Sequence, residues 1–432
     1  MRFLRGAVRA AARLDAATPS ASLPDALPPS SQNSTAFSAA VAELAESLDF
    51  VFDRLDSDDE PGDLLHLHLQ RLGQEASKYT NSRVTARVGH EWSCSDNDLQ
   101  LFLAACQCSS LAYKPDAEPD ASLEHIMHSA PSVAGTKKAA SLWKLDSQNT
   151  LIIAVRGTKG AADHMVNLNS ELRDASSLLK FSGYRDPILA HSGFLACAKS
   201  IRASLIREII RQMNRDPGLS QVIFTGHSAG GAVSSLVFLS LLCDLPTELS
   251  AIRLSLVTFG SAPVISTDVT DLVRRSSNVD HFTAFINEYD MVTRADKPYL
   301  RSIIDLYRSK YGLPPLNQPH GQSQVQKDGH WLLPSPNLQP VGDIVITQMV
   351  LNLSPATEEE LPATPKSPWV LKATKIPHAE FGSLLFCDVA VHQRRVYLQR
   401  MEILAGKTTV DMTPPRFLDT AGTWNTIIDN QL

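Results

Sequence analysis

QVIFTGHSAGGAVSSLVFLSLL, residues 221–242, holds the reading that decides the fold. VIFT (222–225) is short, apolar and bounded by Gly226, the pattern of a strand buried on both faces of a parallel sheet. Gly231 to Leu242 reads as a helix. Between them stands Gly226-His227-Ser228-Ala229-Gly230, a G-x-S-x-G sequence. A serine between a strand and a helix must sit in a strained turn, and Gly226 and Gly230 remove the Cβ atoms that would clash there. The turn lifts Oγ clear of the sheet, and the helix N-terminus behind it favours developing negative charge. Nucleophile and part of an oxyanion hole thus come from one local feature, in which Ser228 is the reacting residue.

Similar apolar runs flank this unit. LIIAV (151–155), LSLVTF (254–259) and HFTAFI (281–286) read as further strands, and VGDIVIT (341–347) as a final one. Ala139 to Val155 reads as a strand pair, and helices are expected at 98–113 and 195–213. Strand and helix therefore alternate, which predicts an α/β fold with a mostly parallel central sheet flanked by helices. Apolar residues at helical spacing between Ser38 and Arg71 add a helical N-terminal extension. The expected organisation is a disordered or targeting segment at 1–35, the helical extension at 36–97, the α/β domain at 98–402 and a C-terminal tail at 403–432.

The 432 residues are 43% hydrophobic and 20% charged with a net charge of −6, proportions of a globular protein without the basic face that nucleic acid requires. Nucleic acid is excluded as the main partner. The six cysteines are scattered and form no pair of C-x-x-C motifs, so a zinc or redox centre is not expected. No H-E-x-x-H, Walker or dinucleotide motif calls for a metal or organic cofactor, and none is expected. No long apolar run follows the first basic residues, so a secretory signal is not expected, and no apolar stretch approaches the roughly 20 residues of a bilayer span. Arg2, Arg5, Arg9 and Arg13 lie opposite Phe3, Leu4, Val8 and Leu14 on a helix, the pattern of a mitochondrial presequence. An intracellular location, cytoplasmic or mitochondrial, is expected.

A serine nucleophile needs an acid and a base. Asp290 closes a strand-like run after the nucleophile, which suits the order Ser, Asp, His; Glu288 and Asp296 are its competitors. Three histidines follow Asp290. His330 precedes the expected last strand and is the poorest base, whereas His378 and His392 both remain open. Arg156-Gly157-Thr158 ends the LIIAV strand, where Thr158 offers a backbone N–H and a hydroxyl as a second oxyanion donor.

VRGT (155–158), AHSGF (190–194), GHSAGG (226–231), VTFGSAP (257–263) and NEYDMV (287–292) follow one another in an order that resembles the class 3, or fungal-type, lipases of the α/β-hydrolase superfamily. The resemblance spans roughly residues 98–402. It implies oxyanion donors at Thr158 and Ala229, an acid at Asp290, and a base at His392, which precedes a Tyr and a Leu of a terminal helix as the family's histidine does. It also implies that His227 packs beside the nucleophile without acting as base. His191 is read in the same way as a packing residue. Val155 and Ala229 depart from the family's usual Phe and Leu, but backbone donors do not depend on those side chains. In the family the stretch matching 159–190 carries a lid, and here its Met165, Val166, Leu168, Leu172, Leu178, Leu179 and Phe181 would supply an apolar face. His164 stands where the family often has Trp.

The expected function is a serine hydrolase cleaving carboxylic esters, with acylglycerols or related lipid esters as substrate and transient contact with a membrane or droplet surface. The alternatives are an esterase or thioesterase on a non-lipid substrate, and a lipase-like binding module without catalysis.

Overall fold

The computed structural model describes residues 71–408 apart from 86, 115–121, 131–137, 158–170, 311–324, 327 and 352–368. The expected 1–35 segment, the first part of the helical extension and nearly all of the tail lie outside the described residues.

Period-two alternation builds the core. In β4 (Thr150–Val155), Leu151, Ile153 and Val155 face one side of the sheet, while Ile152 and Ala154 face the other. Both faces are apolar, so both must be covered, and helices cover them. On the first side lie α2 (Ser192–Arg215) and α3 (Ala229–Cys243). On the second lie α1 (Asp96–Leu111) and α5 (Arg394–Leu404), around Phe102, Ile223, Phe259 and Phe285. From Ala229 to Leu241 every residue of α3 is buried, as expected of a helix apolar all round.

The described strands form a nine-stranded sheet in the order β1-β11-β10-β9-β8-β7-β4-β3-β2. Its middle is parallel: β4, β7 (Gln221–His227), β8 (Arg253–Phe259), β9 (Val279–Asn287) and β10 (Asp343–Leu351). The margins are antiparallel, with β2 (Leu123–Ser129) and β3 (Ala140–Leu145) on one side and β11 (Trp369–Ile376) and β1 (His90–Glu91) on the other. A separate ribbon pairs β5 (Leu172–Asp174) with β6 (Leu189–His191). The described residues thus have an α/β fold, a mostly parallel central sheet flanked by helices.

The expected last strand is not the last. β11 follows it and pairs antiparallel with β10 along eight residues. Lys372 and Lys375 interrupt its apolar alternation, as befits a strand near a sheet margin, and that hides it in the sequence. Within the expected helical extension, residues 71–76 are helical, but the chain then runs as an irregular arm to β1. Gly89 lets the arm lie against β11, where a Cβ would overlap the Lys375 carbonyl.

The lid expectation falls partly outside the described residues, since Met165, Val166 and Leu168 are among 158–170. Leu179 is buried in the main core, and Leu178 and Phe181 pack against it, so these side chains belong to the body and do not form a movable apolar face. Leu172, on the ribbon, is 39% exposed.

Candidate active site

β7 ends at His227 and α3 begins at Ala229, which leaves Ser228 between them with φ 58° and ψ −130°. Side chains rarely adopt this backbone conformation, and tight packing holds it. A Cβ at Gly226 would overlap the Gly230 backbone, and one at Gly230 would overlap the Val155 carbonyl. Strand, turn and helix can approach only through these glycines. A Cβ at Gly157 would overlap the Tyr113 hydroxyl and the His227 carbonyl, so this glycine lets the end of β4 lie beside the Ser228 turn. Ala229 opens α3, and first-turn N–H groups have no acceptor within their own helix. Thr158 lies outside the described residues.

Asp290 follows β9 by three residues, past Tyr289 with φ 75°. Its segment bridges in parallel to Asp388, which places the 388–392 loop alongside it. His392 closes a 3-10 turn, Ala390–His392, whose first N–H donates to Asp388 Oδ1 at 2.7 Å. Asp290 and His392 are both fully buried, and His392 Nδ1 donates to Asp290 Oδ2 at 2.7 Å. The same oxygen accepts from the Tyr397 hydroxyl at 2.6 Å, and Oδ1 accepts from Val292 N–H at 2.9 Å. Each carboxylate oxygen is thereby fixed. Nδ1 carries the proton, so Nε2 presents a lone pair, and no described group engages it.

His227 joins the two halves. Its Nε2 donates to the His392 carbonyl at 2.7 Å, and the two rings lie 4.6 Å apart. Burial, reinforced by the neighbouring His392, holds its pKa well below the ordinary histidine value, so it stays neutral.

The competing residues have other partners. Glu288 accepts from Val84 N–H and Gln348 Nε2, and burial pushes its carboxyl up to about 7. Asp296 caps α4 (Lys297–Lys310) by accepting from Tyr299 N–H, and its other oxygen accepts from Asn337 N–H. His330 bonds Thr80 and Asp328 at the surface, and His378 bonds the Gly342 carbonyl. His191 stacks on Phe194 and accepts its N–H at the start of α2.

Sequence reasoning did not assign three further contributors. Tyr397 accepts from Asn287 N–H at 3.0 Å while donating to Asp290, so one phenol ties the end of β9 to the carboxylate. Asn287 holds the Val391 carbonyl at 2.7 Å, one residue before His392. Asp388, raised to about 7 by burial and by nearby Asp290, accepts from Ala390 N–H and so organises the loop that carries His392. The only signal for Tyr397 was its place on the helix after His392, Asn287 was marked only as the first residue of NEYDMV, and nothing local marked Asp388.

The family model of class 3 lipases matches residues 152–299, which run from β4 past the serine turn and Asp290 to the start of α4. This segment is similar to the class 3 lipases. Among curated relatives, the chain is 32% identical over 108 residues to the phospholipase A1 PLIP1, chloroplastic, of Arabidopsis thaliana, covering 25% of this chain and 16% of that protein. It is 27% identical over 212 residues to PLIP2, chloroplastic, of the same organism, covering 44% of this chain and 28% of that protein. The chain thus spans under a third of the length of either relative. Among solved structures, the Lip2 lipase of Yarrowia lipolytica is 14% identical with a TM-score of 0.46, covering 72% of this chain and 96% of that one. His392, Tyr397 and the β10–β11 pair lie beyond the matched lipase segment. No helix among the described residues is long and apolar enough to cross a membrane.

Proposed function

We propose that this chain is a serine hydrolase that cleaves carboxylic esters of lipids through Ser228, His392 and Asp290. The contact that supports this most is the fully buried 2.7 Å hydrogen bond from His392 to Asp290, with the His392 carbonyl bonded to His227, the residue before a serine held at φ 58°. In this mechanism His392 Nε2 takes the Ser228 proton as Oγ attacks the ester carbonyl, and Asp290 stabilises the resulting imidazolium without being protonated. The Ala229 N–H binds the oxyanion, with Thr158 as the second donor. His392 then protonates the leaving alcohol, and water admitted to the site cleaves the acyl-enzyme by the same steps in reverse. The substrates are acylglycerols or related lipid esters met at a membrane or droplet surface. Glycerophospholipids are included, because both curated relatives are named phospholipases A1.

The test is covalent labelling by a fluorophosphonate beside Ser228→Ala, followed by turnover of triacylglycerol, diacylglycerol, phosphatidylcholine and short-chain esters. Labelling lost in the variant, with turnover favouring long-chain lipids, supports the proposal. Preference for short soluble esters or thioesters would replace it with the esterase alternative. Folded wild-type protein that neither labels nor turns over would make it a binding module.

A further inference from the structure

The arm that precedes α1 lies outside the matched lipase segment, yet its polar anchors fall on the two loops that carry the acid and the base. Val84 N–H donates to Glu288 Oε1 at 2.8 Å, two residues before Asp290, and the Val84 carbonyl accepts from Gln348 Nε2, which also donates to Glu288. The Val84 peptide is therefore gripped on both sides by the end of β9 and by β10. Asn81 grips the other loop. Its Nδ2 donates to the Ser383 carbonyl at 2.7 Å and its own carbonyl accepts from Leu385 N–H at 2.8 Å, on the stretch that runs into the base loop. It also exchanges two hydrogen bonds with the Trp331 backbone, so its buried side-chain amide is well satisfied. Apolar contacts follow the same route: Leu72 and Ala76 pack in one cluster with Met291, Val292, Cys387 and Val389, the neighbours of Asp290 and His392.

We propose that residues 72–84 are an intramolecular brace that sets the spacing of the Asp290 and His392 loops, and that Asn81 and Glu288 are positioning residues for the reaction. The physical ground is that the loops meet through a few buried hydrogen bonds and owe their placement to what stands behind them. A buried, satisfied amide and a buried carboxyl holding a backbone N–H are costly to misplace, so the arm resists sliding. A displacement of about 1 Å in such a site lowers rate roughly 100-fold. The mechanistic part rests on the hydrolase proposal above.

The experiment compares full-length wild type with Asn81→Ala, Glu288→Met, Glu288→Gln and Ile209→Ala. Gln keeps an acceptor for Val84 N–H and Met does not. Ile209 is buried in α2, in a different apolar cluster from those the arm joins, and controls for loss of stability alone. At equal folded fraction, kcat is expected to fall roughly 10- to 100-fold in Asn81→Ala and Glu288→Met with KM within about twofold, while Glu288→Gln and Ile209→Ala stay within about twofold of wild type. A second readout needs no turnover: the downfield proton resonance of His392 Nδ1–H, assigned by its loss in His392→Gln, should broaden or vanish in the first two variants and persist in the others. Unchanged kcat and an unchanged resonance in Asn81→Ala and Glu288→Met would overturn the brace. Absence of Ser228 labelling in wild type would instead overturn the hydrolase proposal, and the resonance would still decide the brace.

Discussion

The proposed nucleophile half and the proposed acid–base half of this site are built in opposite ways. The Ser228 turn is made from consecutive residues, and its geometry is enforced by what is missing: side chains at Gly226 and Gly230. The acid–base half joins residues 102 positions apart, and its geometry is enforced by what is present: Tyr397, Asn287, Asp388 and His227 each fix a carboxylate, a carbonyl or a loop. Steric exclusion acts all or none, whereas a hydrogen-bonded network degrades by steps. Damage should therefore be abrupt on the first side and graded on the second.

Ser228→Ala gives the largest expected effect, a loss of kcat on the order of 10⁶-fold with fluorophosphonate labelling abolished and the melting temperature nearly kept. Asp290→Asn should follow at about 10⁴-fold in kcat, because the amide no longer enforces the tautomer with Nδ1–H. Retention of substantial turnover in that variant would mean that another carboxylate orients His392. Gly230→Ala sharpens the contrast on the steric side. Its Cβ overlaps the Val155 carbonyl, so folded yield should collapse, with a cost on the order of 3–5 kcal/mol if any folded protein is obtained for chemical denaturation. Tyr397→Phe tests the graded side: Asn287 N–H loses its acceptor and Asp290 one donor, so kcat should drop about tenfold with about 1–3 kcal/mol of stability lost. A collapse as complete as that of Gly230→Ala would erase the distinction between the two halves.

The smallest effect is a pH dependence. Burial raises Glu288 from its ordinary 4.5 to about 7, so the folded state holds that proton more tightly than the unfolded chain does. The stabilisation is complete below the unfolded value and is lost as pH rises toward and through the folded one. Glu288→Gln has no such proton to lose. Relative to wild type it should therefore gain stability between about pH 4.5 and 7, on the order of 1–3 kcal/mol by denaturation at both ends of that range. A constant difference across the range would show that Glu288 does not titrate there.

The two halves were also unequally legible before folding. LIIAV, VIFT, LSLVTF and HFTAFI announced their strands because burial on both faces leaves a mostly apolar run free of Asp, Glu, Lys and Arg, while Lys372 and Lys375 concealed β11 because a marginal strand tolerates charge. Asp290 and His392, expected from chain order and family resemblance, are hydrogen-bonded in the structure, but three histidines followed the aspartate and residue spacing left two of them open. The anchors of the arm had no signature. Asn81 and Val84 are ordinary in sequence, and only their contacts with Ser383 and Glu288 give them meaning.

By itself the sequence determined the α/β alternation and the strained serine turn, because periodicity and the absence of Cβ atoms act over a few neighbouring residues. Only the tertiary structure decided that Tyr397 would share Asp290 with His392, that His227 would hold the base's carbonyl, and that the arm would lie behind both loops. Those contacts close chain separations of roughly 100 to 300 residues, and a hydrogen bond across such a distance leaves no pattern in the order of the residues.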